Sequence, residues 1–159
     1  MTVLKVKDII KVPLKELLAK LTTAYVDELG ATYQYWVGAK IIQGSGRTTV
    51  ASELNTHAQE ELSHAESIAT RIIQLGGQIN IYPQDWHKKA GCHYKAISST
   101  KIITVLKENL KGEQCAIEFY NGLLNFTQGK DHVTYSIIEK ILEDELEHEQ
   151  DIITLLEEI

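Results

Sequence analysis

Six side chains in this 159-residue chain have the types and spacing to hold metal ions. Glu28 and Glu113 stand alone, and each is followed about thirty residues later by a Glu-x-x-His: Glu61-Leu62-Ser63-His64 and Glu145-Leu146-Glu147-His148. The separations nearly match, 33 residues from Glu28 to Glu61 and 32 from Glu113 to Glu145. A Glu and a His three residues apart share one face of a helix, so both can reach the same cluster. Four carboxylates balance the charge of two divalent cations, and two imidazoles add neutral donors. A mixed carboxylate and imidazole set suits iron or manganese, and zinc less exclusively. A pair of Fe(II) ions can pass one electron each to a peroxide, a two-electron reduction that releases no hydroxyl radical.

Such a cluster needs rigid elements to position it, and helical periodicity dominates the chain. The pattern predicts a first helix from about Pro13, a residue suited to the first turn, to about Gln43, broken by Gly44-Ser45-Gly46. A second runs from near Thr49 to Gly76-Gly77, a strong stop signal. A third begins after Ser98-Ser99 and reaches Thr127; the fourth follows Asp131, a good N-cap, and continues almost to Ile159. Each is about 26–31 residues, or roughly 40–46 Å at 1.5 Å per residue. Short turns near 44–48 and 128–131 make two antiparallel hairpins. Residues 78–97, with Pro83, Trp86, Gly91, His87 and His93, suit a long crossover with room for a short helix of its own. The expected fold is all-α, a four-helix bundle with one long crossover between helices two and three, and a single domain over 1–159.

The six candidates interrupt the apolar stripes near their middles. The first stripe reads Leu14, Leu17, Leu21, Ala24, Glu28, Ala31, Tyr35, Ala39, and the second Leu54, His57, Glu61, His64, Ile68, Ile72, Leu75. The third reads Leu106, Leu110, Glu113, Ile117, Tyr120, Leu124, and the fourth Ile138, Ile141, Glu145, His148, Ile152, Leu155. A carboxylate facing a core without a partner is penalised by several kcal/mol, and four converging carboxylates cannot all ionise. Two divalent cations remove both problems. This Glu plus Glu-x-x-His arrangement is itself a known pattern of dimetal carboxylate bundles.

A formal net charge of −6 argues against general affinity for nucleic acid or anionic membrane, and specific DNA binding is not expected. Lys5, Lys7 and Lys11 form only a thin basic fringe. No stretch approaches the roughly 18 uninterrupted apolar residues of a membrane span, and lysines interrupt the apolar residues of MTVLKVKDIIK, so a cytoplasmic location is expected by default. Cys92 and Cys115 make neither a disulfide framework nor a Cys-x-x-Cys.

The motifs resemble the ferritin superfamily, specifically its bacterioferritin-type branch. Glu28-Leu-Gly-Ala-Thr-Tyr-Gln-Tyr35 is similar to that branch's first-helix ligand motif, Glu60-Glu61-Leu62-Ser63-His64-Ala65 to the second, and Ile141-Leu142-Glu143-Asp144-Glu145 with His148 to that of the fourth helix. The resemblance covers about residues 14–158. It implies two irons per subunit, with Glu28 and Glu113 terminal, Glu61 and Glu145 bridging, and His64 and His148 each capping one ion. Tyr35 resembles the tyrosine near the dimetal centre, the other reading being an ordinary core residue. Leu62 stands where bacterioferritins carry a haem-ligating Met, so no haem is expected. No residues follow the fourth helix to form the fifth that closes the larger ferritin cage. This favours the twelve-subunit shell of the Dps class and resembles its thioferritin members, which implies a redox pair of Cys92 and Cys115. Two unconnected thiols are the alternative, decided by whether their Cα atoms approach within ~7 Å.

By this resemblance the chain is a Dps-like ferroxidase. It would oxidise Fe(II) with hydrogen peroxide or dioxygen, store ferric iron in a homo-oligomeric cage and protect against oxidative stress. A non-storing dimetal peroxidase or catalase is the rival reading. His57 and Glu60 either guide iron onward or lie as plain helix-surface residues; nothing distinguishes His87, His93 and His132 from solvated histidines.

Overall fold

The computed structural model describes residues 6–159, leaving Lys5 of the basic fringe outside the described residues. A 3-10 turn at Val6–Asp8 precedes four long helices, α1 (Leu14–Ile41), α2 (Arg47–Gln74), α4 (Ile102–Thr127) and α5 (His132–Glu158), with a short helix α3 (Pro83–Lys89) in the crossover. α1 packs mainly along α2 and α4 along α5. The long connection across 75–101 carries the chain from one hairpin to the other, and a parallel bridge pairs Gln43 with Lys101. Among the described residues no helix is long and apolar enough to cross a membrane.

The ends of the helices follow local chemistry. Pro13 sits one residue before α1, at φ −60° and ψ 110°, rather than in its first turn. Its extended ψ delivers the chain to Leu14, and its missing N–H would have had no helical partner there. Gly46 adopts φ 78°, a left-handed turn costly for a residue with a Cβ, so α2 begins at Arg47, two residues before the predicted start. Asp131 caps α5 by accepting from the Thr134 N–H at 3.1 Å, as expected. Burial alone would raise the Asp131 carboxyl, but hydrogen bonds from Thr134 and Arg71 hold it below the usual range. Arg71 of α2 donates to both Asp131 oxygens at 2.9 Å, tying the two hairpins together at one end.

The apolar stripes fill two separate clusters. One is built from Leu17, Leu21, Ala24, Ile68, Ile72, Ala116, Leu123, Ile138 and their neighbours. The other collects Tyr35, Ala39, Ile42, Val50, Leu54, Val105, Leu106 and Ile152. Between them lies a layer of buried acids and imidazoles.

Candidate metal centre

Glu28 on α1, Glu61 and His64 on α2, Glu113 on α4, and Glu145 and His148 on α5 are all buried, none more than 5% exposed. They form two overlapping groups. Glu28, Glu61, His64 and Glu145 offer one donor atom each within 4.8 Å of one another, and so do Glu61, Glu113, Glu145 and His148. Glu61 and Glu145 belong to both groups, while Glu28 with His64 and Glu113 with His148 belong to one each.

The donor atoms themselves show whether cations fit. Glu28 Oε2, Glu61 Oε1, His64 Nδ1, Glu113 Oε2, both Glu145 carboxylate oxygens and His148 Nδ1 are buried without a hydrogen-bond partner. Every one of the six residues contributes at least one such atom, although buried polar atoms normally find partners. His64 Nδ1 faces Glu145, Glu28 and Glu61 at 3.3, 3.5 and 3.6 Å, and His148 Nδ1 faces Glu61, Glu145 and Glu113 at 3.2, 3.5 and 3.8 Å. These are separations of donors ranged around a common point. The residues fit a pair of divalent ions.

Without metal the electrostatics are strained. Burial, followed by repulsion from Glu145 and Glu28, pushes the Glu61 carboxyl well above its usual range. Burial and the Glu145 charge lift Glu113 to about 7, against a lowering hydrogen bond from His148. Burial would lower both imidazoles, but the carboxylates around them raise His64 and His148 far above the ordinary histidine range. Protons thus occupy the place that cations would take.

Each imidazole is held from the opposite hairpin. His64 Nε2 meets Asp144 Oδ2 of α5 at 3.0 Å, and His148 Nε2 meets Glu60 Oε2 of α2 at 3.0 Å. With a carboxylate accepting the Nε2–H, an arriving cation that displaces the Nδ1 proton would meet the Nδ1 lone pair facing the cluster, ring and tautomer set together. The terminal acids are held the same way: Tyr35 donates to Glu113, and Tyr120 donates to Glu28. Burial first, then the nearby carboxylates, raises both phenols well above their usual range, which keeps them protonated donors.

Tyr35 therefore stands against the buried acids, in hydrogen-bond contact with Glu113. Tyr120, Asp144 and Glu60 had no assigned role in the centre, although the sequence carries their signal. Tyr120 follows Glu113 by seven residues as Tyr35 follows Glu28, and an acid directly precedes each bridging glutamate. Asp27 gave no such sign. It accepts from the Gly91 and Cys92 backbone N–H groups at 3.0–3.1 Å, pinning the crossover beside Glu28. Burial, partly offset by those N–H donors, lifts its carboxyl to about 6.

Cys92 and Cys115 are joined as a disulfide, their Cα atoms 5.7 Å apart, which settles the choice between paired and unconnected thiols. It fastens the crossover to α4 two residues beyond Glu113. Tyr94 lies against the glycines flanking the site: a Cβ at Gly112 would fall 2.5 Å from its ring and one at Gly30 3.3 Å from it. His57 is buried on the centre's edge, its ring stacked on His148 at 4.1 Å. His87 and His93 approach each other in the crossover, ring centroids 5.3 Å apart.

Comparison with known proteins agrees with this arrangement. A family model for the ferritin-like domain matches residues 18–159. A solved structure of the dodecameric thioferritin of Bacteroides fragilis, a bacterioferritin-related protein, superposes with a TM-score of 0.91 at 40% identity, covering 93% of this chain and 88% of that one. The DNA protection during starvation protein of Pyrococcus furiosus is 28% identical over 139 residues, 87% of this chain and 75% of its own length. The bacterioferritin of Mycobacterium leprae is 27% identical over 139 residues, 84% of this chain and 79% of its own. With the family model spanning nearly all of the four-helix bundle and the buried acid and imidazole layer at its middle, this chain belongs to the ferritin-like family.

Proposed function

We propose that the protein is a ferroxidase of the Dps-like kind. In this reading it oxidises Fe(II) at an intrasubunit pair of sites, with hydrogen peroxide or dioxygen as acceptor, and stores the ferric product in a cage of identical subunits. The observation that carries it is the set of buried acceptor atoms left without hydrogen-bond partners on all six residues. Two bound divalent cations would compensate four carboxylates and two imidazoles in one dry layer, where protons otherwise stand.

In this reading Glu28 and His64 hold one ion, Glu113 and His148 the other, and Glu61 and Glu145 lie between. Two ferrous ions supply one electron each; with two protons from solvent, a peroxide O–O bond is cleaved to two waters and both ions become ferric. The rest is the work of the chain. Asp144 and Glu60 keep the imidazole Nδ1 atoms aimed inward. Tyr35 and Tyr120 fix one oxygen of each terminal carboxylate, leaving the other for metal. A groove of about 440 Å³ between α2 and α5, lined by Ser63, Ser67, Ser136 and Lys140, reaches His64 and offers small reactants a route in. The dodecameric state of the Bacteroides fragilis protein supports a twelve-subunit shell here, and in this reading the Cys92–Cys115 disulfide, two residues beyond Glu113, serves as the redox pair.

The test is anaerobic loading of two Fe(II) per chain, followed by peroxide, with ferric absorbance recorded for the wild type and Glu61→Ala. The wild type should oxidise both ions rapidly and Glu61→Ala at the rate of free iron. Equal kinetics would defeat the assignment. Elution of the native protein as a monomer or dimer would remove the storage part and leave a non-storing dimetal peroxidase.

A further inference from the structure

A second group of donors lies at the edge of the bundle, outside the six residues of the buried centre. Glu53 and His57 lie on α2, one turn apart, and Asp151 faces them from α5. One donor atom of each falls within 4.8 Å of the others. His57 Nε2 lies 3.5 Å from Glu53 Oε1 and 3.5 Å from Asp151 Oδ2. The imidazole is 1% exposed, and neither of its ring nitrogens has a hydrogen-bond partner.

A histidine buried in this way ordinarily donates one N–H to something at about 2.9 Å. His57 instead points Nε2 between two carboxylates, both too far for a good hydrogen bond. The spacing matches another demand. Donors at about 2.1 Å from a tetrahedral ion sit about 3.4 Å from one another, the separation seen here on both sides of Nε2. Asp151 and Glu53 are 50% and 38% exposed, so solvent could complete the coordination and a cation could arrive without unfolding the bundle. One imidazole with two carboxylates selects first-row divalent ions over calcium or magnesium.

We propose that Glu53, His57 and Asp151 form a third divalent-cation site, separate from the buried pair. Its neighbours give it a direction. His57 stacks on His148 at 25° between ring planes, and His57, Glu60 and His148 again offer donor atoms within 4.8 Å of one another. The site is therefore the outer end of an unbroken line of donors that finishes at His148 of the buried centre. Binding at this outer site does not depend on the ferroxidase reading, since none of its three residues belongs to that centre.

Equilibrium dialysis of the intact protein against Zn(II), with bound metal counted per chain, tests the proposal. The wild type should hold one ion more than Glu53→Gln/Asp151→Asn, whose changes lie at the surface and spare the core. His57→Ile should lose the same single ion. Glu61→Ala should lose the inner ions and keep this one, so that failure of the inner assignment and failure of the outer site give different counts. An equal count in the wild type and the double variant would overturn the proposal, as would loss of the inner ions from either outer variant.

Discussion

The α1–α2 hairpin and the α4–α5 hairpin bring the same residues to the centre in the same order, and they differ in what stands behind those residues. Each supplies a lone glutamate, a tyrosine seven residues later and a Glu-x-x-His. Each tyrosine crosses to the other hairpin's glutamate, and each histidine is gripped by the acid that precedes the other hairpin's bridging glutamate. Away from the donors the likeness ends. Four and eight residues before Glu61 stand His57 and Glu53, whereas four and eight before Glu145 stand Ile141 and Ile137, which pack into the apolar cluster. Two residues after Glu113 stands Cys115 of the disulfide, and two after Glu28 stands Gly30 against the Tyr94 ring. The six converging residues repeat between the halves and their surroundings do not: the α1–α2 half carries an outer donor cluster on α2 and the α4–α5 half a covalent strap on α4, each without a counterpart in the other.

The largest effect that separates the halves is expected from reducing the disulfide. Its 23-residue separation predicts a loss of about 3 kcal/mol on reduction, read as a fall in Tm on the order of 10 °C. Hydrogen exchange should rise around residues 91–95 and Glu113 and much less around Glu28. Equal protection changes in both halves would show that the strap does not act locally.

The next effect concerns the acids behind the histidines. Asp144→Ala should weaken the ion beside His64, and Glu60→Ala the ion beside His148, each by roughly 10- to 100-fold, measured by anaerobic ferrous titration. If one of the two substitutions is silent, the crossed grip is functional on one side only.

The smallest effect is on pH. The folded-state pKa of Glu113 is raised from 4.5 to about 7, so the metal-free fold holds a proton that the unfolded chain has lost over this range. The Glu113 contribution to metal-free stability is therefore fully present below pH 4.5 and lost as pH rises through 7. A cation replaces that proton, so loading becomes tighter as pH rises. The Tm gap between loaded and metal-free protein should widen by on the order of 5 °C from pH 5 to pH 7.5. A gap that narrows would contradict the exchange of protons for metal.

Much of this was legible in the sequence because the signals were long or repeated. Apolar stripes over four helices, broken by glycine-containing turns, placed the elements to within two residues. Repetition of Glu and Glu-x-x-His, in register with those stripes, pointed to six residues that the fold brings together in one buried layer. What was missed acts across the bundle. The contact of Asp144 with His64 joins residues eighty positions apart, and no periodicity reports it. Asp27 was hidden because its partners are backbone N–H groups of the crossover, which carry no side-chain signature. Tyr120 does carry a sequence signal, since its spacing from Glu113 repeats that of Tyr35 from Glu28.

If the buried layer serves to hold two cations, crystals grown anaerobically with ferrous salt will show them in place. Anomalous scattering at the iron edge should show two peaks inside the bundle, one against Glu28 and His64, the other against Glu113 and His148, with Glu61 and Glu145 touching both. No iron between these six residues, with their side chains paired to one another or turned out to solvent, would contradict the account.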